Sequence, residues 1–142
     1  MTKEPGEDCD EQAGSNQPVV LHAKLGEVNG TAKWGLGFNP DPPPRFIVGV
    51  DLAKRAPGKD IVIHLAGSPP GIKFDTTDPI WVCETGDCPP PPGSMSDQVK
   101  DIECTDRKLT FHDTNSRECI LTYQLNFVGA EPLDPMIRNG GF

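Results

Sequence analysis

The sequence predicts an all-β protein, an antiparallel β-sandwich of about seven or eight short strands. Three observations lead to this prediction. The chain contains 15 glycines and 16 prolines among 142 residues, which leaves little room for long helices. Apolar residues recur at every second position in several short segments, as expected for strands with one buried face. Turn-forming residues separate those segments at intervals of about 8–15 residues.

The first alternating segment comprises residues 19–25. Its apolar positions share one face of a strand: Val19, Leu21, Ala23 and Leu25. A turn is predicted at Val28-Asn29-Gly30, and it leads into a weak strand at residues 31–36. Because Gly35 and Gly37 weaken regular pairing, we expect this second strand to lie at an edge of its sheet.

Proline-rich connectors separate the central strands. Residues 39–44 read Asn-Pro-Asp-Pro-Pro-Pro, which predicts an extended connector that belongs to neither a sheet nor a helix. Alternation resumes over residues 45–52 and again over residues 61–65. The predicted inward positions are Phe46, Val48, Val50, Leu52, Ile61, Ile63 and Leu65. Two further short strands are expected at residues 72–74 and 80–83.

The C-terminal third carries the clearest alternation. Leu109 and Phe111 alternate with polar residues, and a polar turn is expected over residues 113–118. In the following strand, residues 119–128, the inward positions are Cys119, Leu121, Tyr123, Leu125 and Phe127, and the opposite positions are Thr122, Gln124 and Asn126. Alternation of this length does not fit a helix face, so we predict that the two strands form a β-hairpin.

Half of the net charge of −8 lies near the N-terminus. Residues 1–16 contain five acidic side chains and the single base Lys3, without an apolar period. Such a segment cannot bury enough surface to offset the entropy lost on ordering. We therefore predict a disordered acidic tail at residues 1–17 and a single domain at residues 18–142. The body has no block of Lys and Arg, which argues against binding to nucleic acid or to an anionic membrane.

The compartment is predicted from the cysteines and from the absence of long apolar runs. No run reaches the roughly 20 apolar residues needed to cross a bilayer. The N-terminus lacks the uninterrupted apolar stretch of a signal peptide. Five cysteines, an odd number, fit a reducing compartment better than a disulfide framework. The sequence therefore predicts a cytoplasmic protein.

Two short stretches in the second half of the chain share a dipeptide pattern. Residues 77–82 contain one Asp-Pro, and residues 131–141 contain a Glu-Pro, a second Asp-Pro and an Asn-Gly-Gly end. Together with the strand at residues 121–127, they resemble the small bacterial proteins grouped as the DP-EP family. The resemblance implies an immunoglobulin-like β-sandwich, with no assigned activity and no catalytic residues. Physically, an acidic residue before proline favours an extended conformation and a turn.

Three histidines fall on the mixed face of predicted strands: His22, His64 and His112. If those strands were neighbours in one sheet, the three imidazoles would converge on a metal ion. The alternative is that they are separate surface residues, which share a face because polar residues occupy it.

The cysteines allow two interpretations as well. Cys83 and Cys88 enclose four residues, a spacing that zinc sites use when a second pair of ligands is present. Cys104 and Cys119 are the candidates for that pair, but both share a face with apolar neighbours, as buried free cysteines do. Cys9 lies in the acidic tail and is expected to be a free thiol.

The sequence contains no nucleophile elbow of the Gly-x-Ser-x-Gly type and no phosphate-binding loop of the Walker type. We therefore assign no catalytic, cofactor-binding or metal-binding residue. The leading hypothesis is a non-enzymatic module that acts through protein contacts or self-association at an edge strand. The alternative is a small metal- or thiol-binding protein that uses histidines on a sheet face or the loop between Cys83 and Cys88.

Overall fold

A computed structural model describes residues 18–38, 49–52, 58–65, 71–84 and 90–140. Several predictions concern residues outside those ranges or side chains that the structure does not describe. These are the predictions for the acidic tail of residues 1–17, the connector at residues 39–44, the inward positions Phe46, Val48 and Val50, and the thiols of Cys9 and Cys88.

The described residues form eleven β-strands and no helix, which confirms the prediction of an all-β protein. The strands are β1 (Val19–Val28), β2 (Thr31–Gly37), β3 (Gly49–Leu52), β4 (Lys59–Leu65), β5 (Lys73–Phe74), β6 (Ile80–Cys83), β7 (Val99–Cys104), β8 (Lys108–Asp113), β9 (Cys119–Leu125), β10 (Phe127–Val128) and β11 (Met136–Asn139). The predicted number of about seven or eight strands is too low. Strand β7 carries four exposed residues in a row, and β10 and β11 are short, so alternation did not reveal them.

The strands form two main sheets. The five-stranded sheet has the order β2-β1-β4-β8-β7, the four-stranded sheet has the order β3-β11-β9-β6, and β10 pairs with β5 in a small third sheet. Strands β1 and β4 are parallel, as are β3 and β11, whereas all other neighbours are antiparallel. The prediction of a wholly antiparallel fold is therefore wrong. An alternating pattern identifies a strand but carries no information about the direction of its neighbour.

The predicted hairpin between β8 and β9 is also wrong. Strand β8 pairs with β4 and β7, whereas β9 pairs with β6 and β11 in the other sheet. Both strands exist where the alternation predicts them, but the chain between them crosses from one sheet to the other. Within that connection the backbone N–H of Asn115 donates to Asp113 Oδ1 at 2.9 Å, and both residues are buried. Local alternation cannot reveal such a buried crossing.

The first two strands do form a hairpin. Asn29 and Gly30 have positive φ angles of 52° and 80°, as a two-residue type I′ turn requires. The register is continuous from Val28 opposite Thr31 to His22 opposite Gly37. Among the described residues strand β2 has only β1 as a neighbour in the five-stranded sheet, so the prediction that it lies at an edge of this sheet is confirmed.

Both main sheets contribute to one hydrophobic core. Phe111 of the five-stranded sheet and Tyr123 of the four-stranded sheet meet edge to face, with ring centroids 5.9 Å apart. The buried residues include these predicted inward positions: Val19, Leu21, Ala23, Leu52, Ile61, Ile63, Leu65, Leu109, Phe111, Leu121, Tyr123 and Leu125. Leu25, Cys119 and Phe127 are partly buried against this core. Thr122 and Gln124, on the opposite face of β9, are buried as well.

Candidate functional site

The structure brings two of the three histidines together. His22 and His64 are register partners on the parallel strands β1 and β4, and their rings stack with centroids 5.4 Å apart. Burial, and then the charge of His64, lowers the pKa of His22 below its usual 6.5. His112 lies on β8 opposite Asp60, and its Nδ1 is 2.9 Å from a carboxylate oxygen of that residue.

His112 cannot join the histidine pair. Its register partner Asp60 is four residues from His64 along β4, which corresponds to about 13 Å of strand. In the part of the chain that the structure describes, no group of three His, Cys, Asp or Glu side chains is placed to hold a metal ion.

The described cysteines lie on three different strands. Cys83 is half-buried at the end of β6, and the structure does not describe Cys88, so the prediction about this pair is untested. Cys104 ends β7, and burial, with a smaller effect of Asp106 and Asp75, raises the pKa of its thiol to about 11. Burial also raises the pKa of Cys119. Both thiols are therefore protonated and poorly nucleophilic at neutral pH.

A cleft of about 490 Å³ lies between the edge strand β2 and residues 131–134, and we call it the β2 cleft. Four of its lining residues come from β2 and four from the segment that contains the Glu-Pro and Asp-Pro dipeptides. They are Thr31, Ala32, Lys33, Trp34, Glu131, Pro132, Leu133 and Asp134. The two walls are about a hundred residues apart in sequence, so only the fold brings them together.

Trp34 joins the two walls of the β2 cleft. Its indole Nε1 donates to the backbone oxygen of Glu131 at 2.8 Å. The ring stacks on Phe127 with centroids 4.3 Å apart, and Phe127 in turn stacks on Phe74 at 5.0 Å. An aromatic stack with a satisfied indole N–H resists rearrangement, so it holds the shape of the cleft.

The second wall is held by the four-stranded sheet. Leu133 and Leu125 exchange two backbone hydrogen bonds of 2.8 and 3.2 Å. The backbone N–H of Tyr123 donates to the backbone oxygen of Pro135 at 3.0 Å, just beyond the cleft. The segment therefore continues the line of β11 along β9, and its two prolines further restrict the backbone.

Two carboxylates belong to this wall. Glu131 is exposed and Asp134 is half-buried. Asp134 Oδ1 is buried and has no hydrogen-bond partner among the described residues. Burial raises the pKa of Asp134 above its ordinary 3.8. Neither carboxylate forms an ion pair within the described ranges. The cleft thus presents negative groups beside an apolar surface.

The register of the first hairpin shows which backbone N–H and C=O groups of β2 do not bond to β1. In a two-residue hairpin the residues that flank the turn, Val28 and Thr31, form a hydrogen-bonded pair. Hydrogen-bonded and non-bonded pairs then alternate along the continuous register. The backbone N–H and C=O groups of Ala32, Trp34 and Leu36 therefore point away from β1, toward the open edge.

The opposite edge of the same sheet is protected against pairing. Strand β7 contains a bulge between Lys100 and Glu103, and Asp101 within it has a φ angle of +56°. Lys100, Asp101 and Glu103 are all exposed. Bulges and charges are the features with which natural edge strands resist pairing with another chain. Strand β2 has no comparable bulge.

A second polar feature lies inside the protein, where the two main sheets meet. Gln98 Nε2 donates to Ser116 Oγ at 2.6 Å, and the Ser116 backbone N–H donates to Gln98 Oε1 at 3.0 Å. Asn139 Nδ2 donates to Gln98 Oε1 at 3.1 Å and to Asp113 Oδ1 at 2.8 Å. This network ties the crossing between β8 and β9 to β11.

Sequence reasoning did not identify either the β2 cleft or the buried network. The Asp-Pro dipeptide at Asp134 predicts an extended backbone and a turn and gives no indication of a cleft. Asp113 and Asn139 share the inward face of their strands with Phe111 and Ile137, two residues earlier, and this polar residue at an inward position is the signal that the sequence offers.

No protein-family model matches the chain, and no curated protein matches it. The resemblance to the DP-EP family stays a prediction. Within the described ranges, the chain contains no helix with the length and apolar character needed to cross a membrane.

Proposed function

We propose that this protein is a non-enzymatic binding module with an immunoglobulin-like β-sandwich architecture, as the DP-EP resemblance implies. In this proposal it binds an extended protein segment by adding that segment as a strand beside β2. The observation that carries the proposal is the position of the β2 cleft along the unprotected edge of a five-stranded sheet. The compartment that we propose is the cytoplasm, supported by the odd number of cysteines.

Strand addition uses backbone hydrogen bonds for affinity and side-chain pockets for specificity. The backbone groups of Ala32, Trp34 and Leu36 supply the first requirement, because they point away from β1. The β2 cleft supplies the second. Its volume of about 490 Å³ is within the usual range for a binding pocket, and Ala32 and Pro132 are the exposed apolar residues of its lining.

Proline at position 32 tests the proposal. Ala32→Pro removes an N–H that faces the open edge, and it leaves the hydrogen bonds between β1 and β2 intact. Ala32→Ser is the matched control, because it changes the same exposed side chain and keeps the N–H. The probe is a fluorescein-labelled ten-residue peptide of alternating threonine and valine with one central norleucine.

We expect fluorescence anisotropy to show binding to the wild type and to Ala32→Ser, and a loss of at least about tenfold in affinity for Ala32→Pro. Circular dichroism and thermal melting must show that both variants are folded. Equal binding by all three proteins would contradict strand addition at β2.

The stacked pair His22 and His64 favours a second candidate function, the binding of a transition-metal ion through two imidazoles on a sheet face. The test is a titration of copper(II) monitored by calorimetry. We expect His64→Gln to abolish binding and His112→Gln to leave it unchanged, because His112 lies apart from the pair. Equal binding by His64→Gln would exclude this site.

A further inference from the structure

We propose that the segment bound beside β2 carries a lysine or arginine whose side chain enters the β2 cleft and pairs with Asp134 and Glu131. This inference rests on the proposed strand addition and specifies the chemistry of the ligand.

The first argument is the unsatisfied state of the acidic wall. Asp134 Oδ1 is a buried acceptor without a donor among the described residues. Glu131 is exposed beside it and has no cationic partner in the same ranges. A half-buried carboxylate whose inner oxygen has no donor favours a cationic partner, because an ammonium or guanidinium group forms a charge-assisted hydrogen bond at its accessible part.

The second argument is the apolar part of the cleft. Ala32 and Pro132 are exposed apolar residues of its lining, whereas Trp34 and Leu133 are almost fully buried, at 7% and 3% exposure. Lysine and arginine have long aliphatic stems that pack on such a surface while the charged end reaches a polar group. An acidic or short polar side chain would gain from neither part of the cleft.

The third argument concerns the balance of charge. Lys33 also lines the cleft, but it is adjacent to Trp34 along β2, so its side chain points to the opposite face of the strand. The lining of the cleft therefore contains two carboxylates and one cation, and the cation lies on the opposite face of β2 from Trp34. The whole chain carries a net charge of −8, which favours the approach of a basic segment over an acidic one.

The test compares two peptides and two variants. The lysine peptide has the alternating sequence defined above with lysine in place of the central norleucine, and the norleucine peptide is its neutral counterpart. Asp134→Asn removes the charge and keeps the shape. Asp101→Asn removes one negative charge at β7, the opposite edge of the same sheet, and asparagine tolerates the positive φ angle there.

We expect the wild type and Asp101→Asn to bind the lysine peptide about tenfold more tightly than the norleucine peptide. Asp134→Asn should lose most of this preference, because only Glu131 is then left to pair with the lysine. If Asp134→Asn does not fold, as judged by circular dichroism, Glu131→Gln replaces it, because Glu131 is exposed and its side chain is not needed for packing.

The outcomes separate this inference from the proposed function. If the variant and the wild type discriminate equally between the peptides while Ala32→Pro still abolishes binding, strand addition stands and the basic ligand is excluded. If Ala32→Pro binds like the wild type, the proposed function fails and the inference fails with it. A wild-type dimer in sedimentation velocity that Ala32→Pro dissociates, with no peptide binding, would identify a second copy as the occupant and overturn the inference.

Discussion

Asn139 of the four-stranded sheet donates a hydrogen bond to Asp113 of the five-stranded sheet, at 2.8 Å between Nδ2 and Oδ1. Both residues are buried, at 3% and 0% exposure. Asp113 Oδ2, Asn139 Oδ1 and the hydroxyl of Tyr123 are all buried and without a partner among the described residues. Burial raises the pKa of Asp113 above its ordinary 3.8, so burial favours the neutral carboxyl.

The first prediction is that Asp113→Asn is at least as stable as the wild type at neutral pH. An asparagine oxygen still accepts from Asn115 and Asn139, and the substitution removes the cost of burying a carboxylate charge. By contrast, Asp113→Leu removes the acceptor and should lose about 1–3 kcal/mol of unfolding free energy. Urea unfolding at pH 7 measures all three proteins. If Asp113→Asn were as unstable as Asp113→Leu, the carboxyl would be needed in its charged form.

The pH dependence of the same variant gives a second prediction. Because the pKa of Asp113 is higher in the folded than in the unfolded state, its contribution to stability is complete below pH 3.8 and is lost as the pH rises through the folded-state value. Between pH 3.8 and the folded-state pKa of Asp113, the wild type should lose unfolding free energy relative to Asp113→Asn, by at most about 1.4 kcal/mol per pH unit.

Two ionisable residues, His112 and Lys59, are neighbours of Asp113 and bear on its titration. The charge of His112 lowers the pKa of Asp113 and so opposes the effect of burial. Lys59, the cross-strand neighbour of Asp113, is itself buried, which lowers the pKa of Lys59. A difference between wild type and Asp113→Asn that does not change with pH would show that Asp113 has the same pKa in both states.

The third prediction concerns strand β9. Leu125 is fully buried, so Leu125→Ala should destabilise the protein by about 2–5 kcal/mol through lost burial and a cavity. Ile120 on the same strand is 45% exposed, and Ile120→Ala should change the stability by less than about 1 kcal/mol. Chemical denaturation measures both. Similar losses for the two variants would mean that the register of β9 differs from that described.

The fourth prediction concerns the first hairpin. Gly30 has a φ angle of +80° and nothing within 4 Å of an added Cβ, so the effect of Gly30→Ala is conformational strain alone. We expect a loss of about 1–2 kcal/mol. Gly26 on β1 also has open space but no positive φ angle, so Gly26→Ala should be neutral or slightly stabilising. Thermal melting of the two variants measures the contrast, and an equal effect of both would argue against the type I′ turn.

The fifth prediction concerns the stacked histidines. Since burial and the charge of His64 lower the pKa of His22, His22 should titrate below 6.5 in an NMR pH titration. In His64→Gln the smaller of these two contributions is removed, so the pKa of His22 should rise part of the way toward 6.5. In His112→Gln it should not change. A rise in the His112 variant but not in the His64 variant would contradict the observed pairing.

The strands and their inward faces could be predicted because they depend on local sequence. The alternation around Leu21, Ile63 and Leu125 identifies three strands and their buried sides. Strand β7 could not be predicted in this way, because a bulge at Asp101 interrupts its alternation and its side chains are mostly exposed. The edge position of β2 was predicted from its glycines. The cleft beside it was not, since its second wall comes from residues 131–134.

Sequence by itself determined that the chain forms β-strands, which residues of several strands face inward, and where the chain turns at Asn29 and Gly30. These properties depend on backbone preferences and on a period of two, which act over a few residues. Tertiary structure alone decided that β1 and β4 run parallel, that β8 and β9 belong to different sheets, and that Trp34 reaches Glu131 across 97 residues of chain. Such pairings depend on which distant surfaces bury one another most completely, and alternation is the same whichever partner a strand finds.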